Sequence, residues 1–312
     1  MSQPDPYSTS PVLLGGDNRS GTTLLSIVLD SHLDLVAGPE IDFLEPPNLG
    51  PHILGAIDLL AADSRHMGAG KNTIDPFWYD GTHFVVQCRR FGLDFDDVRE
   101  LVGRVMVATG NDIVSFADRC HLINAIGELR RMRSGARRWG LKLQRKITRI
   151  DDFARLWPRA HFVHIVRDGR DVAASHLRTV PEWGYRTIAD AARGWAEVVS
   201  RPHRIAPPGR YFEVRYEDLV SSPRTTLATI LDHLGLPWDE AVLRHAEYEH
   251  ALFEQPHDHP AAEAAGKPLH QGRIGRHLQD LTPAQILEFE EIAGSELARL
   301  GYLSTSTSSG DA

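Results

Sequence analysis

Residues 15–25 read Gly-Gly-Asp-Asn-Arg-Ser-Gly-Thr-Thr-Leu-Leu, directly after the apolar run Pro11-Val12-Leu13-Leu14. A short strand, a glycine-rich turn and then an apolar helix form the layout of a phosphate-cradling loop. Backbone N–H groups and the positive end of a helix dipole converge there. From Gly16 the spacing is G-x-x-x-x-G-T-T, whereas the nucleoside-triphosphate version ends in G-K-[ST]. Thr22 stands at the lysine position, and the nearest cation is Arg19, inside the loop. The loop therefore reads as a holder of a nucleotide phosphate, but not of ATP or GTP in the usual way.

A second anion motif follows later. Val166-Arg167-Asp168-Gly169-Arg170-Asp171 puts two arginines at another strand-to-helix turn, and Ser175 comes eight residues after Arg167, inside the next helix. The arginine fork suits phosphate oxygens, and a serine hydroxyl adds one donor. The competing reading pairs Arg167 and Arg170 with Asp168 and Asp171 in a weak surface network. A phosphate loop elsewhere in the chain favours the binding reading.

These loops need a scaffold, and the rest of the sequence provides one. Pro11–Leu14, Trp139–Leu143, His161–Val166 and Tyr211–Tyr216 read as strands. Thr23–Leu35, Asp58–Ala62, Asp94–Ala108, Asp118–Arg133 and Ile150–Trp157 read as helices, and another begins over Gly169–Leu177. Ser222-Pro223 opens a helix to His233, and Thr282-Pro283 opens the last one, to Leu300, each with a hydroxyl N-cap and proline at the first position. Strands alternating with helices predict an α/β fold with a central parallel sheet and helices on both faces. Ligands bind such sheets at the carboxyl ends of strands, where both charged loops fall.

Bulk properties set limits. The 312 residues suffice for a sizeable core in one α/β domain, expected over residues 11–303. Disordered ends are expected over residues 1–10 and 304–312. A hydrophobic share of 42% and a charged share of 24% describe an ordinary globular protein. The net charge of −8 disfavours nucleic acid and anionic membranes as partners. Cys88 and Cys120 offer neither a disulfide framework nor zinc spacing. The N-terminus has no signal-peptide pattern, and no run approaches the ~18 apolar residues of a membrane span. A cytoplasmic location is expected. Six histidines between His245 and His277 have irregular spacing, so no metal site is expected. Residues 245–277 read as a lid loop over the acceptor pocket.

The chain resembles sulfotransferases that use 3′-phosphoadenosine-5′-phosphosulfate (PAPS). Arg19-Ser20-Gly21-Thr22-Thr23-Leu24 is similar to their 5′-phosphosulfate loop. Val166-Arg167-Asp168-Gly169-Arg170 with Ser175 is similar to their 3′-phosphate motif. Asp30-Ser31-His32, Gly38-Pro39-Glu40 and Val214-Arg215-Tyr216-Glu217-Asp218-Leu219 resemble the branch with tyrosylprotein and bacterial sulfotransferases. The matching pieces span Val12 to about Leu234.

The resemblance implies a P-loop-like sulfotransferase architecture and metal-free, in-line transfer of a sulfuryl group from PAPS to a hydroxyl-type acceptor, releasing adenosine 3′,5′-bisphosphate. Arg19, Ser20, Gly21, Thr22, Thr23 and Leu24 would hold the 5′-phosphosulfate, with Arg19 meeting charge on the leaving phosphate. Arg167 and Ser175 would read the 3′-phosphate, and Tyr216 would lie near the adenine unless it is only a core tyrosine. Gly272-Arg273-Ile274-Gly275-Arg276 resembles the segment that closes over the 3′-phosphate. His277-Leu278 departs from the Trp-Lys of the small-molecule branch, which leaves the roles of Arg273 and Arg276 open. Glu40, 21 residues after Arg19, is the candidate general base. Asp42, Glu45 and His83 are alternatives. Lys142 is a strand-end cation that the resemblance aims at the transferring group.

Two rivals stay open at this level: a P-loop kinase or NTPase, and a non-catalytic nucleotide-binding protein. A small molecule, lipid or carbohydrate, as in bacterial secondary metabolism, is the preferred acceptor class. Phe43, Phe77, Trp78, Tyr79 and Phe84 are candidates for its pocket or for core. Homo-oligomerisation is not legible in the sequence.

Overall fold

The computed structural model describes residues 9–45, 47–63, 74–179, 184–250 and 265–303. Five strands form one sheet: β1 (Val12–Gly15), β2 (Leu35–Ala37), β3 (Arg138–Gln144), β4 (His161–Val166) and β5 (Tyr211–Arg215). Their order is β2-β3-β1-β4-β5, and every neighbouring pair is parallel. The phosphate loop leaves central β1, and the Arg167 turn leaves β4 beside it. Parallel pairing brings both strand ends to the same edge, Leu14 opposite Val163 and Gly15 opposite His164. The expected parallel α/β architecture is the one observed.

The two faces of the sheet follow the period-two alternation of its strands. Val12, Leu14, Val163 and Ile165 pack with α1 (Thr22–Asp30) and α10 (Pro223–Leu234). Leu13, Trp139, Leu141, Leu143 and Phe162 point to the other face. There they meet α2 (Leu49–Ala62), α3 (Pro76–Arg90), α4 (Phe95–Thr109), α5 (Phe116–Ser134) and α6 (Ile150–Leu156). A third cluster joins α7 (Gly169–Thr179), α8 (Ile188–Ile205) and α12 (Pro283–Arg299) around Trp195 and Phe289. Two short helices, α9 (Tyr216–Ser221) and α11 (His277–Asp280), border the site.

Several sequence-based boundaries change. The first helix stops at Asp30 rather than Leu35, because the Asp30 carboxylate accepts the Ala37 N–H and Leu35 starts β2. Helix α2 starts at Leu49, not Asp58; Gly50, Pro51 and Gly55 mask its periodicity. Helices α3 and α8 are additions, and α8 carries an interior proline, Pro202. Tyr216 opens α9 instead of ending a strand. Order reaches Thr9 and Ser10, whose hydroxyls donate to Asn124 Oδ1 and the Arg159 carbonyl. Residues 1–8, the tail 304–312 and positions 251–264 of the expected lid lie outside the described residues. Among the described residues, no helix is long and apolar enough to cross a membrane.

Candidate active site

The loop between β1 and α1 is built for close backbone approach. Gly16 has φ +156°, and a Cβ there would stand 2.3 Å from the Ile165 carbonyl oxygen. Gly21, at the N-cap of α1, has φ +100°, and its Cβ would stand 2.7 Å from Tyr216 Cδ2. No side chain caps α1 and no acidic residue lies in its first turn, so its N-terminal N–H groups keep their pull on an anion. Arg19 holds a left-handed φ of 71°, uncommon outside glycine, as strained functional loops often do.

The arginine is aimed across the site. Arg19 Nε donates to the Ser175 hydroxyl at 2.9 Å, and Arg167 Nη1 donates to the Arg19 carbonyl at 3.1 Å. The two motifs therefore meet. Burial, together with the charges of Arg167, Arg273 and Arg178, pushes the Arg19 pKa below its ordinary value. Guanidiniums gathered this closely at one strand edge suit a polyanion. The buried Ser20 Oγ and Arg167 Nε have no hydrogen-bond partner among the described residues, as expected of groups kept for a ligand. Tyr216 lies between the motifs, with the Arg167 guanidinium 4.9 Å from its ring centre.

The two arginines of the second motif part company. Arg170 is consumed by Asp168, Glu290 and the Tyr302 carbonyl, as the competing reading expects. Arg167 donates to Asp171 and to the Arg273 carbonyl, which brings residues 272–277 over it. Arg276 pairs with Asp280 at 2.9 Å. Gly275 and His277 are held by their backbone N–H groups on Asp171.

On the other side of α1, charged groups collect around Glu40. Lys142 Nζ donates to the Thr23 hydroxyl at 3.1 Å and stands 3.9 Å from Glu40 Oε2. Lys146 Nζ lies 3.3 Å from Glu40 Oε1 and 3.6 Å from Asp42 Oδ1. Burial, with Lys146 and Arg90 nearby, holds the Lys142 ammonium below its ordinary pKa against the pull of Glu40. His83 is pushed down by burial, which outweighs Glu40 and Asp42, and its Nε2 lies 3.1 Å from Gln87 Nε2. Thr22 Oγ1 donates to Gln144 Oε1 at 3.2 Å, and Leu24 packs partly buried on the core. Of the candidate aromatics, Phe43 and Phe84 are core, Phe77 is exposed, and Tyr79 stacks on His83.

Sequence reasoning missed the layer behind the loop. Asp17 is buried, accepts from Arg145 at 2.7 Å, from the Tyr185 hydroxyl at 2.9 Å and from the Asn18 N–H at 2.9 Å. Burial, only partly offset by Arg145, raises its pKa to about 6. Lys146 and Gln144 also escaped notice, as did the contacts of Asp171 with Gly275 and His277. An acidic residue inside a phosphate loop was the one available signal for Asp17. The expected lid is tethered where it is described: His245 Nε2 lies 3.0 Å from the Lys267 carbonyl, and His250 pairs with Asp30 at 2.9 Å. The basic run 130–138 is structural in part, with Arg131 on Glu128, Arg133 on Asp97 and Arg138 on the Ser10 carbonyl. Among the described residues, no three His, Cys, Asp or Glu side chains form a metal-holding group.

Known proteins share this sequence pattern and this fold. A model described as "Sulfotransferase family" matches residues 11–240. Protein-tyrosine sulfotransferase 1 of Danio rerio is 23% identical over 244 residues, covering 76% of this chain. The chain spans only 56% of that relative. The Mus musculus enzyme of the same name is 23% identical over 93% of this chain and 69% of its own length. Among solved structures, the sulfotransferase domain of the Synechococcus PCC 7002 olefin synthase is similar in fold. Its TM-score is 0.61 at 21% identity, over 95% of this chain and 98% of that one. The sulfotransferase domain from the curacin biosynthetic pathway gives 0.54 at 14% identity over the same shares.

Proposed function

This chain belongs to the sulfotransferase family, and from that premise we propose that it transfers a sulfuryl group from PAPS to a hydroxyl-type acceptor. The observation that carries the reading is the contact of the two anion motifs, Arg19 Nε on Ser175 Oγ at 2.9 Å. One pocket thereby offers cations and hydroxyls to two phosphates of one nucleotide. A nucleotide with a single phosphate chain would leave the Arg167 half without a partner.

When bound, PAPS supplies the activated sulfuryl group on its 5′-phosphate. The chain positions the reactants and meets the charge that builds as the S–O bond to that phosphate breaks. Arg19 and the N-terminal N–H groups of α1 face that charge. Thr22 and Thr23 add hydroxyls, and Lys142, already on Thr23 Oγ1, brings an ammonium to the same edge. Glu40 is the proposed base: it takes the acceptor proton as the acceptor oxygen bonds to sulfur. Its support is its place between Lys142 and Lys146, near the first turn of α1 where Lys142 bonds Thr23. The products are a sulfate ester and adenosine 3′,5′-bisphosphate. Ser20, Gly21 and Leu24 complete the loop. Tyr216 and Arg273 border the 3′-phosphate half, with Gly275 in the segment above it.

The preferred acceptor is a small molecule, lipid or carbohydrate. The two solved domains of matching length and fold, from an olefin synthase and the curacin pathway, support that class. Thermal stabilisation by adenosine 3′,5′-bisphosphate against ADP and ATP tests the donor. A larger Tm rise with the bisphosphate is expected. Equal stabilisation by ADP overturns the assignment.

A further inference from the structure

We propose that Asp171 is a positioning residue that assembles the 3′-phosphate half of the site by tying segment 272–277 to Arg167. The proposal rests on the donor reading given above.

Asp171 is the first-turn acid of α7, and its side chain is fully buried. Both carboxylate oxygens are occupied. Oδ1 accepts the His277 N–H at 2.8 Å and lies 2.7 Å from His277 Nδ1. Oδ2 accepts the Gly275 N–H at 2.9 Å and Arg167 Nη2 at 3.3 Å. Arg167 Nη2 also donates to the Arg273 carbonyl. One carboxylate therefore fixes the guanidinium of the binding arginine and two backbone positions of the covering segment. Burial opposes its ionisation, but His277 and Arg167 outweigh that and keep the carboxyl below its ordinary pKa.

The segment has few other anchors. Its described backbone–backbone hydrogen bonds are local: Ile274 donates to the Gln271 carbonyl, Leu278 to Gly275, Gln279 and Asp280 to Arg276, and Leu281 to His277. Arg273 and Ile274 are exposed, and Arg276 pairs within the same stretch, with Asp280. The described hydrogen bonds of the Asp171 carboxylate go to Arg167, Gly275 and His277, none of them in the 5′-phosphosulfate loop. It acts through Arg167 and through the segment that carries Arg273. Its effect should thus fall on the 3′-phosphate and not on the nucleotide as a whole.

An amide at this position keeps the size but replaces one acceptor by a donor. In the Asp171→Asn variant the amide nitrogen would face N–H groups of Arg167 and Gly275, or of His277, whichever way it turned. Asp171→Asn is therefore the test, with His277→Ala as the milder second variant, since it removes only the ring contact. Two readouts are taken on the full chain. The first is the affinity ratio of adenosine 3′,5′-bisphosphate to ADP. The second is the rate of tryptic cleavage after Arg273 and Arg276 without ligand.

Expected for D171N are a fall of about tenfold or more in bisphosphate affinity, on the scale of one charged hydrogen bond, with ADP affinity little changed, and faster cleavage in the segment. H277A should move both readouts the same way by less. Unchanged cleavage in both variants overturns the tie. An unchanged affinity ratio, or equal loss of both nucleotides, overturns the positioning role. If D171N does not fold, H277A decides by the same two measures. A wild-type protein that prefers ADP would instead sink the donor reading, whereas the cleavage readout judges the tie independently of any nucleotide.

Discussion

Arg19 Nε and Ser175 Oγ meet at 2.9 Å across 156 residues of sequence. This hydrogen bond joins the loop after β1 to the helix after β4. It is possible because those strands are parallel neighbours in the sheet, so both loops leave at the same edge. The serine hydroxyl holds the guanidinium at the seam between the two proposed phosphate positions.

Arg19→Ala should lower the rate of sulfuryl transfer by about 10²–10³-fold, the usual cost of one preorganised donor to developing charge. Arg19→Lys should recover only part, because an ammonium cannot reproduce the fork. Steady-state kinetics with PAPS at saturation would check this. A wild-type kcat in the alanine variant would remove Arg19 from the mechanism.

Loss of the Ser175 hydroxyl should weaken the bisphosphate by about 1–2 kcal/mol and leave ADP nearly untouched. Arg167→Ala should act in the same direction and more strongly, since it also frees the Arg273 carbonyl and Asp171. Calorimetric titration with both nucleotides reads the difference. Parallel losses for the two nucleotides would contradict the assignment.

Glu40→Gln should cut kcat by about 10²–10⁴-fold, the range of a general base, with bisphosphate affinity retained. The variant also leaves Lys142 and Lys146 without their shared carboxylate, so Asp42→Asn is the control for charge alone. If the Asp42 or His83 variant shows the larger loss of kcat, that residue takes over the base role.

Gly21→Ala should destabilise the loop. The alanine would have to hold φ +100° and crowd the Tyr216 ring, a cost of about 1–3 kcal/mol in strain alone. Denaturant melts compare the variants, and Gly209→Ala, at φ +73° in open space, isolates the backbone part of the cost. Equal destabilisation at the two glycines would remove the Tyr216 contact from the account.

Asp17 gives a pH signature. Its carboxyl pKa is raised from 3.8 to about 6, so the folded state binds its proton more tightly than the unfolded chain does. That contribution to stability is fully present below pH 3.8 and is lost as pH rises through about 6. The change over that window is on the order of 3 kcal/mol at 1.36 kcal/mol per pKa unit. Asp17→Asn should flatten this part of the profile. Tm measured from pH 4 to 7.5 for both proteins tests it, and parallel curves would contradict the raised pKa.

Legibility divided along a physical line. The loop at 15–25, the Arg167 turn with Ser175, and strands β1, β3, β4 and β5 were readable, because glycine, arginine and short apolar runs bounded by turn residues act through local conformation. Helix α8 was passed over although Ile188, Ala191, Ala192, Trp195, Val198 and Val199 keep helical spacing; its apolar face is covered by α7 and α12 together. Short β2 was hidden because three residues hold strand geometry only through pairing with β3.

By itself, the sequence determined the parallel α/β class, the two strand-to-helix motifs and the place of Arg19 in a loop without the P-loop lysine. Each of these is written in contiguous residues. The tertiary structure decided which charges are spent and which are kept. Arg170 pairs with Glu290, Arg276 with Asp280 and Arg167 with Asp171, while the charges of Arg167 and Arg273 bear on Arg19. It also brought Asp171 to His277 and Asp17 to Arg145, partners more than a hundred residues apart. Burial and pairing depend on what lies across the sheet edge, and the order β2-β3-β1-β4-β5 places those neighbours where local sequence does not.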